Sequence, residues 1–572
     1  MEVSACATPC GFRSVVPSLS IRPRACAPTR RVCPLSGSPE RILPTVRYRP
    51  ASIRTAGASL AHRSSTGAQA LFGDDVKILP EISRTLSEYL LIPGLTTEDC
   101  TPDNVDLGAP LVRHRVGEEP GIRVATPMVS AIMQAVSSPT LAVALAQVGG
   151  LSFIHQNQQV EDQAADVRTV KRHKAGFRTS DVTVASQTPL SEVARQLSDT
   201  EQGVAVVTEN GEPDGEFLGI ISLDDFHLER HGTAEAAGNR MRGRDDLVTA
   251  PASISLSEAN ELIWHHHLDV LPLLEDGRAV SLVLKRDYQA HKTYHRASVD
   301  GEKRLRVGAG INSRDFKDRI PALLEAGADV LCLDSSDGYS VYQAKTLEFA
   351  RETYGDDVFV GAGNVVDGRA FRYLADAGAA FVKVGIGGGA ICTTRAQKGI
   401  GRGQASALLD VVEARDAYAQ ETGVYVPLCC DGGLLNDSHM AMALAMGADF
   451  IMLGRYFARL DESPSPKLQI GGQWYKEYWG EGSRRAQNAA RYGQRGQMVF
   501  EEGVDGYVPY AGSLYDNVER TRAKLTSTMI SCGSTNLREF HRDAVLVPVS
   551  AESFKQTGAE VQLRRPAVHS GE

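Results

Sequence analysis

The stretch LLEAGADVLCLD, residues 323–334, decides the fold because it joins a helix, a turn and a buried strand. LLEAGAD is typical of a helix that ends at glycine, which takes a left-handed backbone conformation without a steric cost. The apolar run VLCL then predicts a strand covered on both faces, as in a parallel sheet. The same phrase returns as YLADAGAAFVKVG (373–385), as LAMGADFIMLG (444–454) and, more loosely, as LAQVGGLSFI (145–154).

Counting runs of this kind gives eight predicted strands. They are RVATP (123–127), LSFI (151–154), LRVGA (305–309), VLCLD (330–334), VFVGA (358–362), FVKVG (381–385), VPLCC (426–430) and FIMLG (450–454). Eight such units predict an α/β protein with a (β/α)₈ barrel, or TIM barrel, whose active site lies at the C-terminal ends of the strands. The second and third runs are about 150 residues apart. That distance is far longer than a barrel connection, so a further domain is predicted there.

This predicted insert, residues 176–294, contains an internal repeat. PLSEVARQL (189–197) matches SLSEANELI (255–263), and LGIISLDDF (218–226) matches VSLVLKRDY (280–288). The duplicated unit resembles a tandem pair of α+β CBS domains, at about 178–235 and 243–292, modules that commonly bind adenine or guanine nucleotides. An insert without a ligand is an equal alternative. The histidines at 265–267 are expected on an exposed helix face, because adjacent helical side chains point apart.

The composition is that of an ordinary soluble globular protein. The 572 residues are 42% hydrophobic and 23% charged, with a net charge of -9. This acidic balance argues against a general nucleic-acid binder. The sequence contains no apolar run of the roughly 18 residues that a membrane span needs, so no membrane partner is expected.

Residues 1–70 differ from the rest in composition. They contain ten arginines, no lysine, and only Glu2 and Glu40 as acidic residues, among many Ser, Ala and Pro. This pattern predicts an organellar transit peptide for a plastid or mitochondrion, with a disordered basic tail as the alternative. The six cysteines beyond residue 70 show no spacing typical of disulfides or of a zinc site.

The loop GIGGGAICTTR, residues 385–395, places four glycines beside a cysteine. A thiolate is a strong nucleophile, and a glycine-rich backbone can approach a ligand closely. Together with the barrel and its insert, this loop resembles the IMP dehydrogenase / GMP reductase family over residues 71 to about 560. Its continuation QKGIGRGQ (397–404) is similar to a divergent branch of the IMP dehydrogenases found in protists and bacteria. The barrel is then divided into residues 71–175 and 295–572, with a flap at about 465–510 and a C-terminal segment.

The resemblance implies an enzyme that oxidises inosine 5′-monophosphate (IMP) to xanthosine 5′-monophosphate with NAD⁺, on the route to GMP. It implies that Cys392 attacks the purine, that Thr394 assists it, and that Arg491 and Tyr492 belong to a flap that activates the hydrolytic water. Two alternatives stay open. One is a GMP reductase with CBS domains, and the other is a nucleotide-sensing scaffold with a weakened barrel site.

The resemblance also assigns binding residues. For IMP they are Met133, Ala390, Asp431, Gly432, Gly433, Gly454, Arg455, Tyr478, Trp479, Gly480, Glu481, Gly482 and Glu502. For NAD⁺ they are Asp334, Ser335, Ser336, Asn364, Gly385, Ile386 and Gly387. Ala390 departs from the family pattern, in which a serine hydroxyl faces the phosphate.

A monovalent cation, K⁺, is the second expected cofactor. The resemblance implies backbone carbonyl ligands from Gly387, Gly389 and Cys392, completed by Gln556, Thr557 and Gly558 of a neighbouring subunit. The family usually has Glu-Gly-Gly where this chain has Gln-Thr-Gly. A homotetramer is expected, becoming an octamer when nucleotides occupy the CBS pair. Family habit implies a cytoplasmic protein, unless the arginine-rich segment directs it to an organelle.

Overall fold

The computed structural model describes residues 78–173, 176–178, 180–198, 203–486 and 500–555. The chain divides into two units, Met1–Leu79 and Pro80–Glu572. In the first unit only residues 78 and 79 are described, and both are exposed. The predicted transit peptide, the Arg491-Tyr492 pair and the segment from Gln556 to Gly558 lie outside the described residues.

The second unit contains an eight-stranded parallel sheet that closes into a barrel. Its strands in chain order are β1 (Met128–Ser130), β2 (Phe153–Ile154), β3 (Gly308–Ile311), β4 (Val330–Leu333), β5 (Val360–Val365), β6 (Val382–Val384), β7 (Leu428–Asp431) and β8 (Phe450–Leu453). A parallel bridge between Val129 and Leu151 joins the first strand to the second and completes the ring. The predicted (β/α)₈ barrel is therefore confirmed.

A helix follows each barrel strand. These helices are α1 (Pro139–Gln147), α2 (Val160–Lys171), α3 (Phe316–Glu325), α4 (Val341–Tyr354), α5 (Gly368–Asp376), α6 (Gln404–Thr422), α7 (Asp437–Ala445) and α8 (Leu514–Ser531). Four of these helices end in the repeated helix–glycine–strand pattern, because the backbone turns there at a glycine with φ between 89° and 105°. These glycines are Gly149, Gly327, Gly378 and Gly447. A side chain is disfavoured in this conformation, so glycine ends the helix and directs the chain into the next strand.

Aromatic rings fill the barrel interior. They pack against glycines, where any side chain would collide with a ring. Phe381 lies between Phe153 and Phe450, with ring centroids 5.9 and 5.4 Å away. A Cβ atom on Gly361 would lie 2.1 Å from the Phe381 ring, and one on Gly308 would lie 2.4 Å from the Phe153 ring. The barrel is thus a packed core, and ligands have access only at its ends.

The first predicted strand was wrong. Arg123–Val124 pairs with Ala109–Pro110 in a short antiparallel ladder outside the barrel. The barrel strand starts at Met128, just after Pro127, which has no N–H to donate to a neighbouring strand. The other seven runs lie within a few residues of their strands.

The region between β2 and β3 forms two four-stranded sheets. The first contains Thr183–Ala185, Val204–Thr208, Phe217–Ser222 and Arg242–Gly243, and the second contains Phe177–Arg178, Ala250–Pro251, Val270–Glu275 and Arg278–Leu284. The helices are Leu190–Ser198, Leu228–His231, Leu256–His265 and Lys285–Thr293, with short 3₁₀ turns at Leu223–Asp225, Ala237–Asn239 and Arg244–Asp246. Each sheet has its own apolar core. The CBS assignment and its boundaries stay predictions.

Smaller elements surround the barrel. Tyr89–Ile92 pairs with Val545–Pro548, His114–Arg115 pairs with Val424–Tyr425, and Lys467–Ile470, Gln473–Trp479 and Asp505–Pro509 form a three-stranded sheet. The remaining helices are Thr394–Lys398, Arg455–Ala458, Leu537–Asp543 and Ala551–Lys555, with 3₁₀ turns at Leu86–Glu88 and Gly355–Asp357. Among the described residues, no helix has the length and apolar character to cross a membrane.

Candidate active site

A cavity of about 200 Å³ opens at the C-terminal ends of the barrel strands. It gathers most of the residues expected to bind nucleotide. From the predicted IMP and catalytic sets, Met133, Ala390, Cys392, Thr394, Asp431, Gly432, Gly433, Gly454, Arg455, Tyr478, Gly480, Glu481, Gly482 and Glu502 line it. From the NAD⁺ and cation sets, Asp334, Ser335, Ser336, Asn364, Gly385, Ile386, Gly387 and Gly389 line it.

Trp479 is the one described member of these sets that does not line the cavity. Its indole N–H donates to Oε1 of Gln134 at 3.3 Å, and the Arg485 guanidinium lies 3.9 Å from the ring centroid. Its neighbour Glu481 accepts a hydrogen bond from the backbone N–H of Gln134 at 2.7 Å. Both side chains thereby hold the three-stranded sheet to the segment after β1.

Cys392 differs from the other five described cysteines because it alone is partly exposed. Burial raises the pKa of Cys332 and Cys430 to about 12, so those thiols stay protonated. Sγ of Cys392 lies 3.1 Å from Oγ1 of Thr394. Partial exposure makes the Cys392 thiol accessible from the cavity, and the Thr394 hydroxyl is its hydrogen-bond partner.

A short hydrogen-bonded chain leads away from this thiol. The Thr394 hydroxyl donates to Oε2 of Glu502 at 3.1 Å, and Nζ of Lys398 lies 2.8 Å from Oε1 of the same carboxylate. The backbone holds the arrangement, because the N–H of Thr393 donates to the Glu502 carbonyl at 3.0 Å. Both carboxylate oxygens of Glu502 are therefore engaged by protein groups.

Sequence reasoning missed Lys383, which lies in the middle of β6 at the centre of the site. Its ammonium contacts Oδ1 of Asp334 at 3.0 Å and Oδ2 of Asp431 at 3.2 Å, and its side chain is 1% exposed. Burial alone would lower the pKa of Lys383, but the two carboxylates outweigh it and raise that pKa well above its ordinary value. Lys383 is therefore a permanent cation that holds both acidic residues in place. The signal was a lone lysine in the apolar run FVKVG.

Asn364 completes this network from the end of β5. Its Nδ2 group donates to the Gly385 carbonyl at 2.6 Å and to Oδ2 of Asp431 at 2.9 Å. Its Oδ1 atom is buried and has no partner in the described part of the chain. A buried carbonyl without a donor is costly, so this atom is suited to accept a hydrogen bond from a ligand.

Glycines are required where two loops of the site meet. The N–H of Gly433 donates to the carbonyl of Gly388 at 2.9 Å. A Cβ atom on Gly385 would lie 2.2 Å from the Asp431 carbonyl, and one on Gly432 would lie 3.0 Å from the Gly389 nitrogen. The cysteine loop (residues 385–392) and the aspartate loop (residues 431–433) thus pack backbone against backbone.

Tyr478 is a further lining residue of the cavity. Its hydroxyl is buried 3.7 Å from Sδ of Met133, and a Cβ on Gly454 would lie 2.6 Å from the same oxygen. Burial raises the pKa of Tyr478, so the phenol stays protonated. Arg455 at the rim donates to the Leu435 carbonyl at 3.2 Å. The site thus offers a cation, a neutral donor and two carboxylates around one cavity.

No cluster of histidine, cysteine or acidic side chains suited to a metal ion occurs among the described residues. The expected K⁺ ligands are of another kind, since they are backbone carbonyls. One of them, the Gly389 carbonyl, accepts a hydrogen bond from the Cys392 N–H at 3.1 Å.

Comparisons with known proteins agree with this geometry. A family model described as IMP dehydrogenase / GMP reductase domain matches residues 83–559. The inosine-5′-monophosphate dehydrogenase of Tritrichomonas foetus is 51% identical over 84% of this chain and 97% of its own length. That of Escherichia coli K12 is 34% identical over 83% of this chain and 94% of its own length. A crystal structure of Trypanosoma brucei GMP reductase with guanosine 5′-monophosphate matches with a TM-score of 0.77 and 27% identity, over 86% of this chain and all of the other. The chain belongs to the IMP dehydrogenase / GMP reductase family.

Proposed function

We propose that this chain is an NAD⁺-dependent IMP dehydrogenase that forms xanthosine 5′-monophosphate through a covalent intermediate on Cys392, for GMP biosynthesis. The observation that carries the proposal is the position of Cys392. It is the only described cysteine with an exposed fraction above that of a buried residue, and it lines the same cavity as Asp431 and Asp334. The 51% identity to the Tritrichomonas foetus enzyme favours this reaction over the reductase.

IMP would bind across the two glycine loops. The Asp431 carboxylate has one oxygen, Oδ1, that receives no hydrogen bond from a described residue, so it can accept the ribose hydroxyls. Gly432 has a φ of 83°, a conformation in which its N–H group can turn toward a phosphate, whereas the N–H of Gly433 already donates to the Gly388 carbonyl. Arg455 would supply the positive charge that a phosphate needs. Ala390 at the same rim offers no hydroxyl group to it.

The thiol of Cys392 needs a proton acceptor before it attacks C2 of the purine. Because the Thr394 hydroxyl donates to Glu502, its oxygen can accept the thiol proton and pass its own to the carboxylate. Formation of the S–C2 bond breaks the C2=N3 π bond and makes C2 tetrahedral. The electron pair on N3 then re-forms the C2=N3 bond as the C2 hydride departs. Hydrolysis of the adduct would release the product and return the thiol. The Glu502 carboxylate, held by Lys398, would store the proton meanwhile.

The residues around Asn364 fit a nicotinamide. NAD⁺, when bound, supplies the acceptor for the hydride that leaves C2. The buried Oδ1 atom of Asn364 lacks a donor within the described residues, and a carboxamide N–H can provide one. Oδ2 of Asp334 receives no protein hydrogen bond there either, so it can accept from a ribose hydroxyl. Ser335, Ser336, Gly385 and Gly387 line the same cavity.

The test compares two substrate pairs. Purified protein from about residue 71 onward is given IMP with NAD⁺, and separately GMP with NADPH, while absorbance at the NAD(P)H band is followed. We expect NADH to form from IMP and no NADPH to be consumed with GMP. Cys392→Ala should abolish the signal, whereas Cys532→Ala, a buried cysteine outside the cavity, should not. NADPH consumption would favour the reductase, and inactivity with both pairs would favour the scaffold.

The flap assignment is part of the same proposal. Arg491 and Tyr492 lie outside the described residues, between the strands Gln473–Trp479 and Asp505–Pro509. If Arg491 activates the hydrolytic water, Arg491→Gln should still form the covalent adduct. We expect a rapid NADH burst of about one equivalent per site, followed by slow turnover. A steady-state rate equal to that of the unchanged protein would contradict the assignment.

The remaining finer assignments concern ions, assembly and location. We propose K⁺ at the carbonyls of Gly387, Gly389 and Cys392, tested by replacing K⁺ with choline in the assay.

We propose a homotetramer, supported by the exposed apolar side chains of Leu90, Ile92, Val545 and Val547 on one two-stranded ladder, and tested by light scattering. Nucleotide binding by the CBS pair, with octamer formation, is tested in the same measurement with ATP and GTP. A fluorescent fusion of residues 1–75 tests organellar targeting against a cytoplasmic location.

A further inference from the structure

Three barrel helices have a buried glutamine near their N-terminal end that donates to a barrel strand. The glutamines are Gln163 of α2, Gln343 of α4 and Gln404 of α6, each at most 2% exposed. Their Nε2 groups donate to strand carbonyls: Gln163 to Ile154 and Gly310 (3.1 and 2.9 Å), Gln343 to Gly363 (2.6 Å), and Gln404 to Val384 (2.7 Å). The same hydrogen bond, from a helix glutamine to a strand carbonyl, therefore recurs at three positions around the barrel.

The three glutamines differ in the hydrogen-bond partner of the amide oxygen, Oε1. Oε1 of Gln163 accepts from the Arg319 guanidinium, and Oε1 of Gln343 accepts from the Gly363 N–H at 3.1 Å. Oε1 of Gln404 is buried and has no partner within the described residues. An unpaired buried carbonyl is destabilising, so a site that keeps one is expected to use it in another state.

The unpaired oxygen faces the cysteine loop. It lies 2.6 Å from where a Cβ on Gly385 would be, and 3.5 Å from the corresponding position on Gly388. In the described part of the chain, the N–H groups of Gly387 and Gly388 have no acceptor. Nε2 of Gln404 also contacts Sγ of Cys430 at 3.2 Å, just before the aspartate loop. The side chain thus lies between the two loops that meet around the cavity.

We propose that Gln404 is a positioning residue for the cysteine loop. As the loop closes on the nucleotide, Oε1 accepts a hydrogen bond from the N–H of Gly387 or Gly388, and this bond sets Cys392 relative to the purine. The inference rests on the proposed role of Cys392 as nucleophile. It concerns the closed loop, so the free protein should be little affected by its loss.

The test compares Gln404→Met with Gln163→Met, a matched change on the opposite side of the barrel. The measurements are the rate of the NADH burst, the IMP concentration that half-protects Cys392 from iodoacetamide, and the melting temperature. For Gln404→Met we expect the burst at least tenfold slower and half-protection at a fivefold higher IMP concentration. Without IMP, alkylation should be unchanged. Gln163→Met should lower the melting temperature but leave both other values within twofold.

Gln404→Glu adds a pH-dependent readout to this comparison. Burial raises the pKa of a carboxyl group. When protonated, the new side chain can donate to Val384 and accept from the loop, as the amide does. Its burst rate relative to the unchanged protein should therefore rise as pH falls from 9 to 6, while Gln404→Met shows a constant ratio.

Three results would overturn the inference: a Gln404→Met burst within twofold of normal, equal losses in the two methionine variants, or a flat pH ratio for Gln404→Glu. The proposed function is judged separately. If the unchanged protein is protected by IMP but forms no NADH, the oxidation is wrong, and the protection values still decide the role of Gln404. If IMP does not protect it, both proposals fail.

Discussion

Two buried lysines, each between two aspartates, lie at opposite ends of the barrel. Lys383 contacts Asp334 and Asp431 beyond the C-terminal ends of the strands. Lys171, the last residue of α2, contacts Asp300 and Asp329 at 2.9 Å near the N-terminal ends. The charges and distances are alike, yet only the first cluster lines the cavity.

We call the group around Lys383 the upper cluster and the group around Lys171 the lower cluster. They differ in how many of their carboxylate oxygens accept a hydrogen bond. Both oxygens of Asp300 and Asp329 accept hydrogen bonds, including those from the backbone N–H groups of Arg304 and Val307 at 2.9 and 2.8 Å. In the upper cluster, Oδ2 of Asp334 and Oδ1 of Asp431 receive none from described residues. The lower cluster is closed and structural. The upper cluster retains acceptor capacity that a ligand can fill.

The largest effect is expected for Lys383→Met. Removing the lysine leaves two carboxylates without their cation, and breaking a buried ion pair costs about 3–5 kcal/mol. Because Asp334 and Asp431 also lose their positions, we expect kcat/KM for IMP to fall roughly a hundredfold or more. Urea unfolding and steady-state NADH formation measure the two effects. Activity within tenfold of normal would show that the lysine does not position the acids.

Lys171→Met is the matched change at the other end and should separate stability from activity. It removes the same kind of charge, so a loss of about 3–5 kcal/mol in unfolding free energy is again expected. The cysteine loop and the aspartate loop lie at the opposite ends of the strands, so kcat per folded molecule should stay within twofold. A parallel loss of kcat would mean that the two clusters are coupled through the barrel.

The contrast also shows what the sequence could predict. Local patterns were enough to predict the barrel. The glycine between a helix and the next strand is required by the backbone conformation at that position, which adjacent residues determine. Local patterns were enough to single out Cys392 as well, since its loop is a continuous motif. The first strand was missed because the apolar run before Pro127 belongs to a ladder outside the barrel.

Lys383 was missed for another reason. Its two acidic partners are 49 and 48 residues away in the chain, and only closure of the barrel brings them together. The same holds for Gln404. Its Oε1 atom lacks a donor because of the residues that surround it in the folded chain, and the local sequence does not reveal them. Local sequence therefore predicts the motifs that line the cavity, whereas the residues that hold those motifs depend on long-range pairing.

The smallest expected effect is a pH dependence of stability at the lower cluster. Burial disfavours ionised Asp300, but hydrogen bonds from Lys171 and Arg304 outweigh it and lower the pKa of its carboxyl group to about 2, from 3.8. A carboxyl group with a lowered folded-state pKa stabilises the fold above its unfolded-state pKa, and this contribution is lost as pH falls toward the folded value. Asp300→Asn should therefore lower the melting temperature at pH 7, and the difference from the unchanged protein should shrink between pH 4 and pH 2. Because Asp300 lies far from the cavity, NADH formation at pH 7 should not change. A melting difference that stays constant over this range would mean that Asp300 stabilises the loop through neutral hydrogen bonds, and that the lower cluster does not depend on its charge.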